Sequence, residues 1–119
     1  EIGHDLQARQ ILDATVANCE ENGDIWYVPE LYRLKGCIGP ERFGGGADDS
    51  VTLLRTSIRI AQEQGAKAFA FRSTTSLARL LAGRGDKRKA RELLSPLLAE
   101  FADDPTADFL AASKLLASL

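Results

Sequence analysis

Val51-Thr52-Leu53-Leu54-Arg55-Thr56-Ser57-Ile58-Arg59-Ile60-Ala61-Gln62-Glu63-Gln64-Gly65 places apolar side chains at 51, 54, 58 and 61 and then meets a glycine. That spacing is one face of a helix, and the glycine is a C-terminal stop. The pattern has an echo 42 residues earlier, where Leu12, Val16 and Gly23 match Leu54, Ile58 and Gly65. A further 40 residues on, Leu94 and Leu98 repeat it again. A helix with one apolar stripe needs a neighbour to cover it, so repeated stripes predict stacked helical hairpins. Such an array presents a surface, which points to recognition rather than to a catalytic pocket.

Working outward from that stretch, the periodicity stays helical, with no sustained two-residue alternation. The broadest stripe is Ala90, Leu93, Leu94, Leu97, Leu98 and Phe101, and a third runs through Ala8, Leu12, Val16 and Cys19. Punctuation predicts six helices, over 5–21, 25–38, 49–64, 67–83, 87–102 and 106–118. Gly23 and Gly65 serve as stops, Asp86 as an N-cap, Ser50 or Asp49 as the cap of the third helix, and Asp104 with Pro105 as the start of the last. Pro29 is harmless near the start of the second helix or marks its true start, whereas Pro96 falls inside the fifth and predicts a kink. The one long loop, Gly39 to Asp48, contains Gly44-Gly45-Gly46 but lacks the Lys-Ser/Thr ending and preceding strand of a phosphate-binding loop.

Composition narrows the class. The chain has 119 residues, 45% of them hydrophobic, enough for one domain with a core. It contains no methionine, which implies a piece of a longer protein. No apolar run is long enough for a membrane span and no signal-peptide pattern is present, so a cytoplasmic location is expected. Cys19 and Cys37, with His4 the sole histidine, are too few for a structural zinc site and read as reduced thiols. The net charge of −2 conceals an asymmetry: residues 1–66 hold 11 acidic and 6 basic side chains, residues 67–119 hold 6 acidic and 9 basic.

Within the echo, Gly23 to Gly36 and Gly65 to Ala78 are both 13 residues, so a small residue recurs where the second and fourth helices approach a neighbour. Residues 71–105 continue through Leu81, Gly85, Ala90, Leu94 and Leu97 to Asp104-Pro105. This resembles the tetratricopeptide repeat, and the resemblance implies an all-α, right-handed superhelical stack of antiparallel hairpins. The first full unit departs from the pattern: its loop is two residues longer, Trp26 falls early, and Lys35 stands where a large apolar residue is usual. The strings Trp26-Tyr27-Val28-Pro29-Glu30-Leu31-Tyr32-Arg33-Leu34-Lys35-Gly36, Arg72-Ser73-Thr74-Thr75-Ser76-Leu77-Ala78-Arg79-Leu80 and Ala90-Arg91-Glu92-Leu93-Leu94-Ser95-Pro96 resemble the C-terminal repeats of large bacterial signalling ATPases. So does the closing Thr106 to Leu116. Those proteins carry an adenylate cyclase or winged-helix module ahead of the ATPase. The resemblance implies a scaffold or sensory segment of a bacterial signal-transduction or transcription regulator.

In the repeat family the first helix of each pair lines the concave face. On that basis Glu30, Arg33 and Cys37 would stand beside Arg72, Thr75 and Arg79. Three guanidiniums on one face can grip a carboxylate or phosphate through planar, bidentate donors, so an acidic protein or peptide partner is expected there. The plainer alternative is that the arginines pair with Glu30 and nearby acids. Trp26 and Tyr27 either anchor a partner or pack on the first helix. Arg84, Lys87, Arg88, Lys89 and Arg91 form a basic turn, but no aromatic residues interleave with them and nucleic-acid binding is not expected.

No enzyme is expected: His4 lies near the chain start with no nucleophile assigned to it, and the acid pairs sit at turns where capping explains them. No catalytic residue, metal or cofactor is expected either. The second functional reading is self-association, a homodimer formed through an uncovered edge of the array.

Overall fold

A computed structural model of the chain describes residues 2–23, 27–38, 50–101 and 106–119. They form six helices: α1 (Ile2–Asn22), α2 (Val28–Ile38), α3 (Ser50–Gln64), α4 (Lys67–Gly83), α5 (Lys87–Glu100) and α6 (Ala107–Ala117). No strand occurs among the described residues. Two compact units divide the chain, residues 1–73 and 74–119, and the division falls inside α4. The glycine loop at 39–48, Trp26, Asp49 and the Asp104-Pro105 pair lie outside the described residues.

In the first unit, three neighbouring helix pairs run antiparallel. Lys35 of α2 reaches Asp13 of α1 at 2.6 Å. Gly36, late in α2, lies against Ser50 and Leu54, early in α3, while Pro29, early in α2, meets Ser57 further along α3. Ser57 in turn meets Ser73 of α4. The core comprises Val16, Val28, Leu53, Leu54, Ala61 and Phe71.

Gly36 is required by proximity rather than by backbone angle. A Cβ there would stand 2.8 Å from Leu54 Cγ and 3.2 Å from the Ser50 carbonyl oxygen, closer than real side chains pack. The small residue at this position is what lets α2 and α3 approach. Lys35, the departure from the repeat pattern, is also accounted for. Its ammonium sits 5.1 Å from the centre of the Tyr32 ring and pairs with Asp13, so its stem covers apolar surface while its head stays satisfied.

A polar relay crosses the same interface. Ser57 donates to the Pro29 carbonyl at 2.5 Å, and its hydroxyl lies 2.6 Å from that of Ser73. A hydroxyl has one proton, so Ser73 must be the donor to Ser57. Three helices are thereby joined by two buried hydrogen bonds.

In the second unit, Leu77, Ala78, Leu81, Ala90, Leu94 and Ala112 form the core. Asp86 caps α5, its side chain accepting from the Lys89 amide. Arg91 of α5 donates to the Leu119 carbonyl at 3.0 Å, which sets α6 antiparallel to α5. Thr106 caps α6, accepting from the Phe109 amide, and the helix starts at Ala107, one residue after the predicted 106. Its buried residue is Ala112.

Gly23, Gly65 and Gly85 have φ of 79°, 70° and 89°, the left-handed backbone of helix stops. The second helix begins at Val28 with Pro29 in its first turn, where the missing N–H has no intrahelical partner to lose. Pro96 stands on the exposed side of α5, which carries on four residues beyond it.

Candidate functional site

Four of the six residues singled out from the sequence lie in the first unit and two in the second. Glu30, Arg33, Cys37 and Arg72 converge in the first unit. Thr75 is buried in the second unit, and Arg79 is exposed there.

Glu30 is the hub. Arg33, one helical turn on, donates through Nε to Oε2 at 3.0 Å and through Nη2 to Oε1 at 2.5 Å, a bidentate fork. Arg72 Nη1 approaches Glu30 Oε1 from α4 at 3.4 Å. The Arg33 and Glu30 side chains are each 18% exposed, whereas Arg72 is 39% exposed. Burial alone would push the Glu30 carboxyl up. The hydrogen bonds and charge of Arg33, joined by those of Arg72, outweigh it and hold the group below the ordinary glutamate range. Cys37 Sγ lies 4.0 Å from Arg33 Nη1 at the edge of the cluster, and both Cys19 and Cys37 are free thiols.

Residues 30 and 72 stand at the sequence offset of 42. So do Tyr27 and Phe69, whose ring centres are 6.4 Å apart. Equivalent positions in the echo touch twice, in the same direction, so α2 and the opening turns of α4 run parallel and in register. The offset held the signal for this neighbourhood, since adding 42 to Tyr27 and to Glu30 gives Phe69 and Arg72.

Other clusters resolve into local pairings. Arg88 pairs with Glu92 at 3.1 Å, Lys89 with Asp86 at 3.7 Å, and Arg91 with the Leu119 carbonyl. Among the described residues no group of three or more His, Cys, Asp or Glu side chains comes together in a way that could hold a metal ion. No helix among them is long and apolar enough to cross a membrane. One feature had no signature in the sequence: a cavity of about 370 Å³ lined by Glu20, Val28, Ile60, Glu63 and Gln64, drawn from three helices.

Comparison with protein-family models, with curated proteins and with solved structures finds no match.

Proposed function

We propose that the chain is a tetratricopeptide-like interaction module of a bacterial cytoplasmic signal-transduction or transcription regulator, and that it recognises an acidic peptide through Arg33 and Arg72. The observation that supports this reading is the pair of contacts at offset 42, Glu30 with Arg72 and Tyr27 with Phe69. Helices related by a repeat lie side by side in a stack, and a stack presents their shared face to a ligand.

The chemistry follows from the exposure of Arg72. Arg33 is committed to Glu30 by its fork, but Arg72 sits at 3.4 Å and is more than a third exposed. An incoming carboxylate can take Arg72 while Glu30 keeps Arg33, and Glu30 itself occupies the position a ligand carboxylate would take. Recognition of this kind acts by differential affinity. A ligand that prefers one arrangement of the array shifts a coupled output domain by that preference alone.

The test is titration of the chain with a glutamate-rich peptide, followed by chemical-shift changes on α2 and α4. Binding should weaken with salt and disappear in R33A/R72A/R79A. E30Q should tighten it about threefold to tenfold, because the competing carboxylate is gone while both guanidiniums remain. Unchanged binding in the triple variant overturns the reading.

A further inference from the structure

Large apolar side chains that stand exposed among the described residues are Ile11, Tyr27, Leu34 and Leu110. Two of them flank the charged cluster. Tyr27 stands three residues before Glu30 and Leu34 four residues after it, the spacings that put side chains next to one another on a helix. Tyr27, directly before α2, is 49% exposed, and Leu34, within α2, is 37% exposed. Other sides of α2 are covered: Lys35 ties it to α1, while Pro29 and Gly36 lie against α3. Glu30 faces α4 through Arg72, and Phe69, one turn before Arg72, meets the Tyr27 ring. Apolar and cationic groups of the first unit therefore alternate along one open face: Tyr27 with Phe69, then Arg33 and Arg72 around Glu30, then Leu34.

This order constrains the ligand. An exposed carboxylate–guanidinium pair shifts a binding equilibrium by about fivefold at most and is screened by salt. Burying one apolar side chain shifts it by about tenfold to a hundredfold. A bare run of acids on this face would use only the weaker contribution and leave Tyr27 and Leu34 in water. The Tyr27 and Phe69 ring planes are tilted by 44° with centres 6.4 Å apart, which gives an angled ledge for the edge of a ring rather than a flat slot for a stacked base.

We propose that the partner is an amphipathic acidic segment of a protein. Its carboxylate meets Arg72, an aromatic side chain on one side of that carboxylate packs on Tyr27 and Phe69, and an aliphatic one on the other side packs on Leu34. The proposal rests on the acidic-peptide reading and adds that apolar contact supplies most of the affinity.

Two peptides of equal length and charge test this: one of glutamate and alanine, the other with phenylalanine and leucine in place of the alanines flanking its central glutamate. The second should bind the chain about tenfold to a hundredfold more tightly, and the ratio should persist in about 0.5 M salt. Y27A/L34A, confirmed as folded by circular dichroism, should bind the two peptides equally. Y27F should keep the difference, because the ring and not the hydroxyl makes the contact. Equal affinity of the parent chain for both peptides overturns the proposal and leaves the acidic-peptide reading standing. So does a difference that survives Y27A/L34A, or loss of the difference in Y27F. A single-stranded thymidine oligonucleotide that displaces the second peptide at equal concentration overturns both. An alanine-glutamate peptide that binds R33A/R72A/R79A as well as the parent chain, or binds neither, overturns the acidic-peptide reading and this proposal with it.

Discussion

At the scale of single residues, Gly36 and Glu30 are the positions where one atom decides the outcome. Alanine at 36 gains up to about 1 kcal/mol of helix propensity but drives its Cβ to 2.8 Å from a branched carbon of fully buried Leu54. Leu54 Cγ cannot move without shifting the core, so overpacking wins and Gly36→Ala should lower stability by about 1–2 kcal/mol in urea unfolding. Gly83, at the end of α4, has open space where its Cβ would go. Gly83→Ala should therefore be neutral or stabilise by about 0.5 kcal/mol, and equal effects at the two positions would refute the close-approach argument. Glu30 makes the pH-dependent case. Its carboxyl titrates lower in the folded chain than in the unfolded chain, so the unfolded chain binds more protons across that window. Its contribution is complete above the ordinary glutamate range and is lost as pH falls through the lowered folded value. Glu30→Gln should cost about 1 kcal/mol at pH 7 and progressively less below about pH 4, read from unfolding free energies at each pH. A difference that stays constant with pH would show that the ion pairs contribute nothing.

At the scale of elements, helix ends were legible wherever a single residue type controls them. Gly23 and Gly65 end α1 and α3 in left-handed backbone, and Asp86 caps α5, as their sequence contexts predict. Legibility was less complete for α6, whose N-cap is Thr106, a residue that no pattern in the sequence singles out. It failed differently in α1, whose predicted stripe is partial: Val16 is buried and Leu12 and Cys19 half-buried, but Ala8 is exposed. Periodicity states which residues share a face and not how much of that face a neighbour covers. Pro96 tests how far packing overrides propensity. It sits inside α5 without an N–H to offer the Glu92 carbonyl, and it is exposed. Pro96→Ala restores that hydrogen bond and relieves the ring clash, against about 1 kcal/mol of unfolded-chain entropy regained. Thermal unfolding should show a net gain of about 1–2 kcal/mol, and a loss would mean that a proline-induced bend is needed for α5 to reach α6.

At the scale of the whole chain, the echo at 42 residues was the most informative thing in the sequence, and it appears in three dimensions as the in-register contacts of α2 and α4. The Glu20 and Glu63 cavity was not legible, because its lining comes from three helices, and the approach of two of them, α2 and α3, is set by Gly36 and the Ser57 hydroxyl rather than by any periodic pattern. A chain built from helix pairs has a further consequence for where stability resides. Within a unit, a helix that buries more side chains opens later, so protection should grade within each unit rather than be uniform. Burial already grades this way within each unit. Among the described side chains of α1 only Val16 is buried, whereas α3 buries Ser50, Leu53, Leu54, Ser57 and Ala61. In the second unit α6 buries Ala112 alone, while the α4 segment there buries Thr75, Ser76, Leu77, Ala78 and Leu81. Native-state hydrogen exchange should therefore find the amides of α1 opening with a free energy about 2–3 kcal/mol below those of α3, roughly a hundredfold faster exchange. The amides of α6 should likewise open before those of residues 75–81. The Lys35 to Asp13 ion pair is a tie between α1 and the rest of its unit, so Lys35→Gln should widen the first gap and leave the second unchanged. Uniform protection across α1 and α3 would mean that the first unit opens only as a whole, and that its terminal helix is held by more than the burial of Val16 and one ion pair.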